Sequence, residues 1–268
     1  MRVRFWGVRG AVRVSPPDGG RFSGRTACLE VRDDSSSELL VLDAGSGIAG
    51  LLETLGPEPT HVQILLTHCH WDHLEGLAKF VPLVRAGWAP HIWAPAFAPN
   101  ERAPLDAFFA AFPSSTRTAG ASFLPEMTLV EPGEFEVGSF HVRAVPLRHP
   151  GGALAYRITG RTGDLVYISD HEFGDPAIDE ALPPFALNSG ATVLDACFLP
   201  DELPSRAGWG HASWRQAVSF ASATGAGQLW LFHHDPARTD AELVEIERSA
   251  RRVYPATRVA REGDTFRI

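Results

Sequence analysis

The sequence predicts an α/β fold built on a sandwich of β-sheets. Three short apolar runs are typical of buried strands, and each is followed within a few positions by a histidine or an aspartate. These runs are residues 140–145, 165–169 and 228–232. Polar side chains at several strand ends are typical of an active site on the rim of a sheet sandwich.

Strand-like alternation dominates the chain up to Asp43. Clusters of serine, proline, glycine and aspartate predict a loop at residues 15–20 and a turn at residues 33–37. The predicted strand at residues 39–42 runs into Asp43 and four small residues, which let the backbone turn sharply.

The densest group of chemically active side chains lies at residues 67–73, which read THCHWDH. The apolar run at residues 62–66 predicts a strand before this group. A helix after it is predicted by apolar residues at helical spacing, Leu74, Leu77 and Phe80. In an extended turn, side chains two positions apart point the same way, so the first two histidines can bind one ion while the aspartate and the third histidine face a second. This spacing of nitrogen and oxygen donors predicts a metal site.

The pattern His-x-His-x-Asp-His resembles the signature of the metallo-β-lactamase superfamily. The resemblance implies an αββα sandwich, in which two mixed β-sheets are flanked by helices. It also implies further ligands after the three apolar runs and a supporting role for Asp43 behind a metal-binding histidine. The implied metal ligands are His68, His70, Asp72, His73, His149, Asp170 and His233.

The same resemblance implies how these seven ligands divide between two divalent ions. His68, His70 and His149 would bind the first ion. Asp72, His73 and His233 would bind the second, and Asp170 would bridge the two. Two ions about 3.5–4 Å apart can share a hydroxide and lower its pKa toward neutrality. Zinc suits such ligands best, and manganese and iron are alternatives.

A second motif, at residues 208–213, reads GWGHAS and precedes a predicted helix. Ser213 and Gln216 have the spacing of a capping box, and Gly225 marks the end of the helix. The motif resembles the Gly-His-Ser-Thr segment of tRNase Z and related phosphodiesterases. His211 would then bind the phosphoryl group or protonate the leaving alkoxide, and its alternative role is to fix the loop.

The resemblance favours a phosphodiesterase that acts on a small diester such as a cyclic nucleotide. The tRNA-processing enzymes insert a long arm between the ligands that match His149 and Asp170, and here only one hairpin fits between these two residues. A metal-bridging hydroxide, oriented by Asp72, would attack phosphorus while His211 protonates the leaving oxygen. Two alternatives stay open: hydrolysis of acyl substrates such as thioesters or lactones, and a metal-dependent ligand sensor without turnover.

Composition and charge are consistent with one enzyme domain over residues 1–268, because the implied ligands extend from His68 to His233. The net charge of −8 and the lack of any Lys/Arg-rich run favour a small substrate over nucleic acid. No apolar stretch approaches the length of a membrane span, which predicts a cytoplasmic protein without a membrane partner. Three cysteines without a Cys-x-x-Cys pair predict no disulfide framework, and Cys69 is predicted to face away from the metal.

Three smaller features leave alternatives open. An aromatic cluster of Phe108, Phe109 and Phe112 is typical of a helix packed on the sheet, and its alternative role is a lid or the contact of a homodimer. Residues 24–28 also resemble the phosphodiesterase branch, except that Arg25 stands where asparagine is common. Whether Arg25 or His234 contacts the substrate is left open.

Overall fold

The first of two mixed β-sheets contains the N-terminal strands and the last strand of the chain. The computed structural model describes residues 1–15, 20–33, 38–55, 62–78, 90–96, 105, 107 and 125–268. The strands of the first sheet are β1 (Arg2–Gly7), β2 (Cys28–Arg32), β3 (Leu39–Leu42), β4 (Val62–Leu65), β5 (Pro90–Pro95), β6 (Glu126–Val130) and β14 (Thr265–Arg267). They are arranged in the order β14-β1-β2-β3-β4-β5-β6. Pairing is antiparallel from β14 to β3 and parallel from β3 to β6.

The second sheet has the same mixture of pairings. Its strands are β7 (Gly133–Val137), β8 (Phe140–Leu147), β9 (Ala153–Ile158), β10 (Leu165–Ile168), β11 (Ala191–Asp195), β12 (Leu229–Phe232) and β13 (Thr257–Val259). The order is β13-β12-β11-β10-β9-β8-β7, antiparallel from β7 to β10 and parallel from β10 to β13. Strands β8, β10, β11 and β12 therefore end at one edge of this sheet.

Helices cover the outer faces of both sheets. The described helices are α1 (Ile48–Thr54), α2 (Trp71–Leu74), α3 (Pro176–Asp179), α4 (Leu182–Ala186), α5 (Trp214–Thr224) and α6 (Asp240–Val253), with a 3₁₀ turn at Leu203–Ser205. Helix α5 begins at the predicted capping box of Ser213 and Gln216 and ends at Gly225, whose φ is 65°. No helix in the described ranges is long and apolar enough to cross a membrane.

Side chains alternate between the two faces of each strand, so the described residues form three hydrophobic cores, one between the sheets and one on the outer face of each sheet. On β3, Leu40 and Leu42 point into the core between the two sheets, where they join Phe232 of β12. Leu39 and Val41 point the other way, into the core that the first sheet shares with α1 and α2. The second sheet has its own outer core with α4, α5 and α6. The predicted αββα sandwich, with two mixed sheets flanked by helices, is confirmed.

The structure adds to the sequence prediction in two places. The proline- and alanine-rich stretch that starts at Pro90 begins and ends in strands β5 and β6, which the sequence does not reveal because prolines weaken the strand pattern. The helix predicted after residue 73 starts earlier, as the single turn of α2. Phe80 and the aromatic cluster at 108–112 lie outside the described residues.

Candidate metal centre

The predicted ligands lie where strands of both sheets end. His68, His70, Asp72 and His73 follow β4 of the first sheet. His149 follows β8 of the second sheet, and Asp170 and His233 follow β10 and β12. Asp43, Asp170 and His233 have positive φ angles of 59°, 59° and 57°. Left-handed backbone in residues other than glycine is unusual and concentrates at functional sites.

One group of three histidines forms the outer half of the site. The ligand nitrogens of His68, His70 and His149 all lie within 4.8 Å of one another. His149 Nε2 is 3.0 Å from His70 Nδ1. His68 is buried, whereas His70 is exposed. This trio is the set that the family resemblance assigns to the first ion.

The second group consists of Asp72, His73 and His233, and all three residues are buried. Asp72 Oδ2 is 3.4 Å from His73 Nε2 and 3.1 Å from His233 Nε2. The two imidazole nitrogens are 3.4 Å apart. Three donor atoms therefore converge on one point, and this trio is the set that the family resemblance assigns to the second ion.

The carboxylate of Asp170 lies between the two groups. Its Oδ1 faces the second group, at 3.5 Å from His73 Nε2 and 3.2 Å from His233 Nε2. Its Oδ2 faces the first group, at 3.5 Å from His68 Nε2 and 3.7 Å from His149 Nε2. One oxygen toward each group is the arrangement that a bridging carboxylate needs.

The donor set fits a pair of divalent cations. His68 Nε2 is buried without a hydrogen-bond partner, although buried polar atoms are nearly always paired. Burial holds the pKa of His68 well below its usual value, and the neighbouring His73 adds to this shift. The imidazole is therefore neutral, and a neutral imidazole is the form that binds metal. Imidazoles with carboxylates suit zinc, manganese and iron.

Asp43 supports the second group from behind, as the family resemblance implies. Its Oδ2 is 2.9 Å from His73 Nδ1 and accepts a 2.8 Å hydrogen bond from the Tyr167 hydroxyl. Its Oδ1 accepts a 2.8 Å hydrogen bond from the Thr67 backbone N–H. A carboxylate on Nδ1 fixes the orientation of the ring and leaves Nε2 for the ion.

His211 lies beside both groups. Its ring centroid is 5.4 Å from that of His149 and 4.9 Å from that of His233. Its Nδ1 is 2.8 Å from Oδ2 of the fully buried Asp195, which leaves Nε2 as the free ring nitrogen. Although burial alone lowers it, the pKa of His211 is raised to about 9 by the Asp195 carboxylate. Asp195 therefore favours the protonated form of the His211 imidazole.

The sequence prediction misses two parts of the site, which are Asp195 and the backbone at residues 10–11, after β1. Asp195 is the last residue of β11 and also accepts backbone hydrogen bonds from His171 and Cys197. Ala11 donates its backbone N–H to Asp72 Oδ2 at 2.7 Å. At Gly10, an added Cβ would lie only 2.3 Å from the His233 ring. The only sequence signal for Asp195 is its position at a strand end beside the other donors.

Three residues that the sequence considered have their described contacts away from the site. His234 is buried, and its Nε2 is 2.9 Å from the Ala260 carbonyl oxygen. Arg25 forms a 2.9 Å ion pair with Glu262. Cys69 packs against the outer core of the first sheet.

Fold and donor geometry together define a metal-dependent hydrolase on an αββα sandwich. The model of the beta-lactamase superfamily domain matches residues 39–234, which is most of the chain. The chain therefore belongs to the metallo-β-lactamase superfamily. Members bind divalent metal ions, and the His/Asp groups described above are among the clusters in the described part of this chain that could hold one.

Individual relatives are similar over almost the whole length. The ribonuclease Z of Lacticaseibacillus casei (strain BL23) is 23% identical over 288 residues, an alignment that covers 88% of this chain and 87% of the relative. The metallo-β-lactamase fold protein YhfI from Bacillus subtilis superposes with a TM-score of 0.74 at 18% identity, over 99% of this chain and 98% of the other. A diphosphatase from the PhnP family superposes with a TM-score of 0.74 at 19% identity, over 100% of this chain and 97% of the other. The predicted resemblance to the phosphodiesterase branch is confirmed.

Proposed function

We propose that this protein is a dinuclear metal-dependent phosphodiesterase that acts on a small diester, with a cyclic nucleotide as the leading substrate. The observation that carries this proposal is the His211–Asp195 pair, held at 2.8 Å beside the seven predicted ligands. A protonated imidazole at this place suits a reaction in which an alkoxide leaves. The ribonuclease Z and diphosphatase relatives support phosphorus as the atom attacked.

The seven ligands divide between the two ions as the family pattern implies. His68, His70 and His149 would hold one ion, Asp72, His73 and His233 the other, and Asp170 both. Two divalent ions, with zinc as the proposed metal, would acidify a water molecule and neutralise negative charge on the phosphate oxygens.

The protein's own side chains would position the water and the leaving group. Asp72 would orient the attacking water, and the Ala11 N–H fixes one oxygen of that carboxylate. His211 would donate its Nε2 proton to the departing oxygen. Asp195 would hold the imidazole in place through Nδ1 and stabilise its charge.

A small substrate is supported by the chain between His149 and Asp170. Strands β9 and β10 form an antiparallel hairpin there, closed by residues 159–164. This leaves no segment for a tRNA-binding arm of the kind that the phosphodiesterase resemblance implies for tRNA processing. The net charge of −8 also disfavours a long polyanion.

The organisation of the chain also remains a proposal. We propose one domain over residues 1–268, because β4 of the first sheet and β8, β10 and β12 of the second all contribute predicted ligands. The zinc identity, the homodimer and the cytoplasmic location likewise stay predictions.

The first prediction is a substrate preference. Metal-loaded protein should cleave cyclic nucleotides at least about tenfold faster, in kcat/KM, than any thioester, lactone, nucleoside diphosphate or precursor tRNA. Faster cleavage of thioesters or lactones would replace the proposal by acyl hydrolysis. A preference for the diphosphate or for tRNA would overturn the substrate class, and tight nucleotide binding without any turnover would establish a sensor.

A further inference from the structure

Glu172 connects three segments that meet at the predicted site. Its two carboxylate oxygens accept hydrogen bonds from the backbone N–H groups of Gly208 and Gly210, at 3.0 and 2.8 Å. Its own backbone N–H donates to the Arg148 carbonyl at 2.9 Å, and its carboxylate lies 3.2 Å from the Arg148 guanidinium. Glu172 therefore ties the end of β8 and the segment after β10 to the loop at residues 208–210.

This loop touches two of the site histidines. The Gly210 carbonyl oxygen is 3.0 Å from His149 Nδ1, and His211 is the next residue in the chain. An added Cβ at Gly210 would lie 2.1 Å from His149 Nδ1, so the backbone packs directly against that ring. Any shift of the loop therefore moves both His149 and His211.

The backbone N–H groups of the 208–210 loop need a hydrogen-bond acceptor from outside the loop. Gly208 and Gly210 have φ angles of 84° and 86°, in the left-handed region where glycine is favoured. Gly210 is buried, so its N–H would have no ready replacement acceptor if the carboxylate were lost, and the closed loop would be destabilised. The side chain of Glu172 is only 12% exposed, which keeps its oxygens on these two donors.

We infer that Glu172 is a positioning residue that fixes the 208–210 loop and thereby sets the orientation of His149 and the placement of His211. It acts through these two histidines. The consequence for catalysis rests on the proposed function, whereas the consequence for the loop does not.

The test compares Glu172→Ala and Glu172→Gln in metal-loaded protein by hydrogen–deuterium exchange. In Glu172→Ala, the amides of Gly208 and Gly210 should exchange about 5- to 30-fold faster, because both lose their acceptor. Glu172→Gln keeps one acceptor oxygen and should show a smaller change. Glu180→Ala is the matched control, because Glu180 is an exposed glutamate eight positions along the same segment.

A kinetic readout separates positioning from general loss of stability. If His211 is displaced, Glu172→Ala should slow an alkyl phosphodiester about tenfold more than an activated nitrophenyl diester, and Glu172→Gln should recover part of the difference. Unchanged exchange at residues 208–210 in both variants would overturn the inference, whatever the substrate. Faster exchange with equal loss on both diesters would overturn the placement of His211 while leaving the loop contact intact. If wild type cleaves no diester, the proposed function fails and the exchange result still decides the loop contact.

Discussion

Asp170→Ala will abolish turnover, with a loss of roughly three orders of magnitude or more in kcat. The two oxygens of Asp170 face different groups, Oδ1 toward His73 and His233, and Oδ2 toward His68 and His149. In the proposed dinuclear centre, removing the carboxylate would leave two cations without the negative charge between them, which should also weaken metal binding. Initial rates and bound metal, measured on the same preparation, check both effects.

The matched control is Asp164→Ala at the other end of β10. Asp164 pairs with Arg157 at 2.7 Å and has its described contacts away from the ligand cluster. This variant should lose some thermal stability and keep both its metal content and its kcat. Near-normal rates and two bound ions in Asp170→Ala would show that Asp170 does not bridge.

His211→Ala will slow an alkyl diester by roughly 10²–10⁴, which is the usual contribution of general acid catalysis. A nitrophenyl diester should lose much less, because its leaving group departs without a proton. Metal content should stay unchanged, since His211 is outside the seven predicted ligands. Asp195→Asn should reproduce part of this pattern, because it removes the negative charge that favours the protonated His211 imidazole.

His141→Ala serves as the matched histidine control. His141 is on β8, and its side chain is 45% exposed and pairs with Glu136. This variant should cleave both diesters at the wild-type rate. If His211→Ala loses metal, His211 is a ligand; if it loses both diesters equally, His211 binds phosphate and does not act as an acid.

The predicted ligands could be identified from the sequence because each follows a recognisable apolar run. The ligands after β4 are clustered within six positions, and His149, Asp170 and His233 follow strands β8, β10 and β12. The family resemblance implied that all seven residues meet, and the shared edge at which β8, β10 and β12 end brings the last three together.

The carboxylates that hold the site in place could not be identified from the sequence, because they act through contacts between distant segments. Asp195 is 16 positions from His211, and Glu172 is 36 and 38 positions from the two glycines it binds. An isolated acidic residue carries no local pattern that distinguishes a surface carboxylate from one that orders a loop. His211 lies two positions before the N-cap Ser213 of α5, as the sequence predicts, and the structure adds the Asp195 carboxylate as its partner.

Metal content is the most direct test of the central claim that seven side chains form a dinuclear centre. Protein purified without chelator and reconstituted with zinc, manganese or iron should contain about two divalent ions per chain by elemental analysis. His68 Nε2 faces Oδ2 of Asp170 and His73 Nε2 faces Oδ1, and the two histidines belong to different predicted ligand groups, so single alanine variants of each should lower this value toward one. A reproducible value near zero for the wild-type protein with all three metals would contradict the assignment of the site.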